Sequence, residues 1–216
     1  MNRKNFIKNS LIAGAALTIG VIAGESVISS SRNQNKKDTK MKILILTGSP
    51  RKNGNSNTLV DNFINGAKEN GHEVVRFDSA FKNVHPCTAC NHCGMDGDCV
   101  YKDDFNFVKE NIVNADMVVF ATPMYYFGIS AQLKAVIDRF YSINEKIHKP
   151  KKSALIMTYA DTRAAEAEPI KKHYEVLLNY LGWTSVGEII ASGVWQVGSV
   201  NQTKYPKMAY ELGKNL

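Results

Sequence analysis

From Met41 onward, short unbroken apolar runs alternate with amphipathic stretches of about three turns. Lys42–Thr47 (KILILT) is apolar at consecutive positions and closes at Gly48, the pattern of a strand buried on both faces. Thr58–Asn70 places Leu59, Phe63, Ile64 and Ala67 at helical spacing and stops at Gly71. Glu73–Phe77 predicts a second strand. After a cysteine-rich loop, Asp103–Asn114 predicts a helix with Phe107, Val108, Ile112 and Val113 inward and two acids where its N-terminus favours them. Met117–Ala121 predicts the third strand, and Gln132–Ile143 a helix burying Leu133, Val136, Ile137 and Phe140. The fourth strand falls at Ala154–Thr158, and a helix at Glu166–Leu181 ends on Gly182. Ser185–Ala191 and Pro206–Leu212 complete the pattern as a fifth strand and a last helix.

Strands separated by single helices require right-handed crossovers, and hence a parallel sheet with helices on both faces. The expected class is α/β, doubly wound. Five such strands fit the flavodoxin-like order 2-1-3-4-5, in which ligands bind beyond the carboxyl ends of the strands. Attention therefore falls on the loops after strands one, three and four.

Residues 1–40 do not share this pattern. Met1–Lys8 is basic, Asn9–Gly24 carries no charge and is largely apolar, and Val21-Ile22-Ala23 offers small or aliphatic residues where a signal peptidase cuts, the order of a signal peptide over residues 1–24. The uncharged run is shorter than the ~20 residues of a spanning helix, so no stable membrane span is expected in the mature chain. Residues 25–40 read as a polar linker, and the domain should occupy 41–216. Arg3-Lys4-Asn5-Phe6-Ile7-Lys8 resembles a twin-arginine signal with lysine as its second basic residue. The expectation is export, by that route or the general one, with a cytoplasmic location if the segment is not a working signal.

Charge changes the picture little. The formal net charge is +7, but residues 1–40 hold seven Lys/Arg against Glu25 and Asp38, which leaves +2 for residues 41–216. So small an excess argues against a nucleic-acid partner. With 44% hydrophobic and 22% charged residues, the composition excludes disorder and a polytopic membrane protein.

The loop after strand one, Gly48–Thr58 (GSPRKNGNSNT), is dense in hydroxyls and side-chain amides at a helix N-terminus. Free backbone N–H groups there, with neutral donors beside them, suit a monophosphate. The same residues also suit an ordinary helix cap. Neither G-x-x-x-x-G-K-[ST] nor G-x-G-x-x-G occurs in the segment, which disfavours a nucleotide triphosphatase and a dinucleotide fold. The loop after strand three, Thr122–Ser130 (TPMYYFGIS), offers flat apolar contacts and a glycine for close approach, as a planar ring requires; core packing is the alternative use of such aromatics.

These two segments, GSPRKNGNSNTL and TPMYYFGISAQLKAVIDRF, resemble the phosphate loop and the ring loop of the NADPH-dependent FMN reductases and iron–sulfur flavoproteins. The resemblance implies FMN held by Ser49, Arg51, Asn55, Ser56, Asn57 and Thr58 at its phosphate, and by Pro123, Met124, Tyr125, Tyr126 and Gly128 at its ring. It further implies NAD(P)H as electron donor, a small acceptor such as a flavin or quinone or else a redox partner protein, and a homodimer. No side chain is assigned a catalytic role, since the chemistry is the flavin's own. Asp138 and Arg139 also fit the family, with an exposed or interface ion pair as their plainer role. A non-enzymatic electron carrier is the competing reading.

All four cysteines lie in one run, Cys87-x2-Cys90-x2-Cys93-x5-Cys99. Such spacing suits a [4Fe-4S] cluster and resembles the motif of the iron–sulfur flavoproteins. A four-thiolate zinc site, two disulfides and a redox thiol pair remain alternatives. His85 and His92 read as exposed bystanders.

Overall fold

The computed structural model describes residues 40–216; the predicted signal segment 1–24, and the linker 25–40 apart from Lys40, lie outside the described residues. The chain runs β1 (Lys42–Thr47), α1 (Asn55–Glu69), β2 (Glu73–Asp78), α2 (Phe105–Val113), β3 (Met117–Pro123), α3 (Ala131–Asp138), α4 (Asn144–Ile147), β4 (Lys152–Thr158), α5 (Glu168–Leu181), β5 (Thr184–Ala191) and α6 (Tyr205–Lys214). The five strands form one sheet in the order β2-β1-β3-β4-β5, every neighbouring pair parallel. This is the expected flavodoxin-like arrangement.

Period-two alternation divides each central strand between two cores. Leu44, Leu46, Val118, Phe120, Leu155 and Met157 pack with residues of α2, α3 and α5. Ile43, Ile45, Met117, Val119, Ala154 and Ile156 pack with α1 and α6 on the other face. Both sets are buried, which explains why the strands read as continuous apolar runs.

Local departures from the expected elements have tertiary causes. Helix α1 begins at Asn55 rather than Thr58, because Gly54 takes the extended cap position (φ −72°, ψ 160°) and its carbonyl already accepts the Thr58 N–H. In α2 the inward residues are Phe105, Val108 and Ile112, whereas Phe107, expected inward, is 43% exposed and stacks on Phe77. The helix expected over 132–143 is α-helical as far as Asp138 and tightens to a 3-10 turn over Arg139–Ile143, where Arg139 is drawn into the interior.

Helices α1 and α6 cross at glycines. A Cβ at Gly66 would stand 2.0 Å from the Tyr210 carbonyl oxygen, and one at Gly213 would stand 2.2 Å from that of Phe63. Both obstacles are backbone, so a methyl group can be admitted only if the helices separate. We predict that Gly213→Ala lowers stability by about 1–3 kcal/mol through this overpacking, seen as a fall in the urea midpoint with the slope unchanged.

Candidate active site

The carboxyl end of β1 meets the N-terminus of α3 at Gly48. A Cβ there would lie 2.1 Å from Ser130 Oγ and 2.7 Å from Leu133 Cβ, so the approach requires glycine. Ser130 in turn caps α3, its Oγ accepting from the Leu133 N–H at 3.3 Å. Beyond Gly48 the loop rises to α1. The first intrahelical bond is Thr58 N–H to Gly54 carbonyl at 3.0 Å, so the N–H groups of Asn55, Ser56 and Asn57 have no acceptor within the helix. Gly54 contributes no capping side chain. Three donors and the positive end of the helix dipole therefore make a helix end of the kind that suits an anion.

The predicted phosphate residues divide in two. Ser49, Arg51, Asn55 and Ser56 line the adjoining cleft, although Ser49 Oγ also bonds within the loop, donating to the Arg51 carbonyl and accepting from the Arg51 N–H, both at 3.3 Å. The side chains of Asn57 and Thr58 turn back into the loop: Asn57 Nδ2 donates to the Arg51 and Lys52 carbonyls (2.9 and 3.1 Å), and Thr58 Oγ1 to that of Gly54. They hold the loop's shape. Asn57 Oδ1 is buried without a partner. Although Asn55 lines the cleft, its side-chain amide is committed to the loop after β5: Nδ2 donates to the Val194 and Gln196 carbonyls (3.1 and 2.8 Å), and Oδ1 accepts from the Gly198 N–H at 2.9 Å.

At the end of β3, Pro123, Met124 and Tyr125 form a second wall. Met124 N–H donates to the Thr158 carbonyl at 2.8 Å, and Tyr125 and Gly128 exchange two backbone bonds (3.0 and 3.1 Å) around a tight turn. Its central residues, Tyr126 and Phe127, have φ of 45° and 62°, a conformation unfavourable to bulky residues and associated with functional strain. Tyr126, expected against the ring, stands fully in solvent, and Gly128 closes the turn outside the cleft lining.

The remaining wall comes from the end of β4, where the strand order directs attention, and from the segment after β5, which it does not single out. Thr158 at the end of β4, Tyr159 and Ala160 just beyond it, and Val194–Val197 after β5 line the same cleft of about 390 Å³. Tyr159 N–H donates to Ala191, and Val194 N–H to Tyr159, extending the strand pairing past the sheet edge. The available signal was Trp195 and Val197 set between Gly193 and Gly198, large apolar residues in a turn that no core could absorb. Next to this wall, the Arg163 hydrogen bond lowers the Asp161 carboxyl to about 2, so Asp161 is an anion at working pH and no proton donor. A helix-end anion site, buried hydroxyls of Ser49 and Ser56, and apolar walls in a cleft of ligand size fit a flavin mononucleotide.

The four cysteines line a separate, smaller cavity of about 20 Å³, space for little more than one water molecule. Among the described residues, no three His, Cys, Asp or Glu side chains are gathered closely enough to hold a metal ion. The cysteines are unpaired, Cys87 and Cys90 exposed, Cys93 and Cys99 half-buried. The loop as folded therefore does not fit a [4Fe-4S] cluster.

What the loop does possess is a buried clamp. Arg139 Nη1 donates to the His85 carbonyl and to Asp103 Oδ2, both at 2.8 Å, and Nη2 reaches the Tyr101 carbonyl at 3.3 Å. These carbonyls lie just outside either end of the cysteine run. The guanidinium also lies over the Tyr101 and Phe105 rings, 5.4 and 4.9 Å from their centroids. Asp138 and Arg139 are thus not a pair: Asp138 takes Lys134 at the surface, and Arg139 takes Asp103 with side-chain exposures of 1% and 6%. His85 is exposed but stacks on Tyr101 at 3.8 Å. Burial raises the Asp103 carboxyl, but the Arg139 hydrogen bond and the His85 and Phe105 N–H groups outweigh it and leave it below its ordinary value.

Strand order, helix-end anion site and apolar cleft together define a flavodoxin-like flavin-dependent oxidoreductase. Residues 41–196 match the NADPH-dependent FMN reductase family, and the chain belongs to that family. It is 31% identical over 155 residues to an iron-sulfur flavoprotein of Archaeoglobus fulgidus, covering 71% of this chain and 70% of that one. With an iron-sulfur flavoprotein of Methanocaldococcus jannaschii it shares 37% identity over 99 residues, 46% of this chain and 51% of the other. The fold superimposes on the NAD(P)H:quinone oxidoreductase from Methanothermobacter marburgensis with a TM-score of 0.68 at 20% identity, over 82% of this chain and 96% of that one.

Two outcomes follow from the Arg139 clamp. Removing one partner of a buried ion pair costs about 3–5 kcal/mol, so Arg139→Met should lower the denaturation midpoint and hasten reaction of the cysteines with a thiol reagent. Because the folded Asp103 carboxyl titrates below its unfolded value of about 3.9, the pair's stabilisation is complete above that value and is lost as pH falls through the folded one. Urea midpoints taken below pH 4 should accordingly fall less steeply in Asp103→Asn than in the native protein.

Proposed function

We propose that this protein binds FMN in the cleft at the carboxyl edge of the sheet, with the phosphate at the N-terminus of α1, and passes electrons from NAD(P)H to a small acceptor such as a quinone or a free flavin. The observation that carries this reading is the set of unpaired N–H groups at Asn55–Asn57 opening onto a cleft walled by Pro123, Met124 and Tyr125. When bound, FMN supplies the chemistry itself, accepting a hydride and releasing electrons. The chain's part is to hold the phosphate with backbone donors and buried hydroxyls and to face the ring with apolar side chains.

Ser49→Asp should abolish FMN binding in a titration followed by flavin fluorescence while the circular dichroism stays native, because a carboxylate would face the phosphate across a nearly dry site. Unchanged affinity would overturn the phosphate assignment. Rapid NAD(P)H oxidation by the flavin-loaded protein separates a reductase from the competing electron carrier.

Cysteine spacing and the names of the relatives support a [4Fe-4S] cluster on Cys87, Cys90, Cys93 and Cys99. Cluster binding would have to reshape the loop, as ligation commonly does. Anaerobically isolated protein should carry about four irons per chain, and Cys90→Ser should lose them while keeping FMN. The basic, apolar and small-residue order of residues 1–24 supports export with cleavage after residue 20, which N-terminal sequencing of native protein checks. The family resemblance supports a homodimer.

A further inference from the structure

Trp195 and Trp183 are the two tryptophans of the chain, and they are used in opposite ways. Trp183 is buried, stacks on Phe120 and donates its indole N–H to the Ile147 carbonyl at 3.0 Å. Trp195 lines the cleft, is 70% exposed, and has no ring stacked on it among the described residues. A large apolar side chain left in water is unremarkable where the backbone is loose, but this backbone is pinned. The carbonyls on either side, of Val194 and Gln196, both accept from the Asn55 amide, and the same side chain's oxygen takes the N–H of Gly198. Val194 N–H is tied to Tyr159 in addition. Trp195 therefore sits in a segment fixed from both sides, just ahead of the turn closed by the Ser199 N–H and the Gln196 carbonyl at 3.1 Å, and it is fixed by the first residue of the helix whose N-terminus adjoins the cleft.

We propose that Trp195 is a specificity-determining platform on which the flat, electron-poor ring of a substrate stacks at the mouth of the cleft, the ring being that of a quinone-type acceptor or of the nicotinamide. The proposal rests on the reading of the cleft as the FMN site and adds to it the surface that selects what reaches the flavin. Indole is the most electron-rich of the side-chain rings, and offset stacking on a ring of opposite electronic character is favourable. Because the segment is already ordered, little freedom is lost when a substrate binds. Asn55 is the positioning residue, holding the platform at one end and opening the phosphate site at the other.

The test uses the full FMN-loaded protein, with Trp195→Ala and Trp195→Phe as variants and 1,4-naphthoquinone and NADPH as probes. Trp195→Ala should raise KM for at least one of the two by about tenfold with a much smaller change in kcat, and Trp195→Phe should recover most of that loss. The ligand whose KM rises identifies the ring that stacks. In the absence of NADPH, naphthoquinone should saturably quench the red-shifted emission of the exposed indole in the native protein and not the emission of buried Trp183 in Trp195→Phe if the quinone is that ring; with a nicotinamide, NADP+ should do so instead. KM values unchanged for both probes in Trp195→Ala, or quenching by neither, would overturn the platform. A failure of the FMN reading is seen separately, as native protein that takes up no FMN in a direct titration.

Discussion

The junction of β1 with α1 sets the geometry of the whole carboxyl edge. A parallel sheet forces each strand to hand the chain to a helix beginning at that edge, and β1 lies at the point where the connections diverge towards β2 on one side and β3 on the other. Gly48 lets the strand end touch α3 without a side chain between them, and Gly54 starts α1 without a side-chain cap. The result is a helix end whose donors are unspent and accessible. Walls from β3, β4 and β5 matter because they surround that one point.

Asn55 extends this constraint to the far wall. Its amide links the start of α1 to a loop some 140 residues later, so a single side chain couples the anion site to the segment that carries Trp195. The wall is held by hydrogen bonds made within the chain itself, the kind of restraint that lowers the ordering cost of binding. The Tyr126–Phe127 turn does the same on the β3 side, at the expense of two left-handed bulky residues whose ring faces are left to solvent.

Arg139 performs a comparable task for the cysteine loop, which is long, polar and without regular structure. A guanidinium has enough planar donors to bind two carbonyls and a carboxylate at once, and its faces pack on aromatic rings. Burying a charge of this kind is tolerable because Asp103 is buried with it and is itself hydrogen-bonded by main-chain N–H groups. The clamp orders both ends of the run while leaving Cys87 and Cys90 exposed.

What the sequence by itself determined is whatever depends on neighbours along the chain. Five strands, the helices between them and the polar loop at the start of α1 were legible, because strand burial and helix termination are written in residues close to one another, while the strand order followed from the fold that such an alternation fits. The loops carrying Ser49, Ser56, Pro123, Met124 and Tyr125 were legible for the same reason, as was their place at strand ends. Tertiary structure alone decided that Asn55 spends its amide on the 194–198 turn, that Trp195 borders the cleft, that Tyr126 faces solvent, and that Arg139 is buried against Asp103 and unpaired with Asp138. It also decided that Phe105 enters the core and Phe107 does not, a matter of where α2 begins. Apart from Tyr126, which the tight Tyr125–Gly128 turn lifts into solvent, each of these turns on a contact between residues far apart in sequence or on one turn of helix phase, and a hydrogen bond across more than a hundred residues leaves no periodic trace at either end.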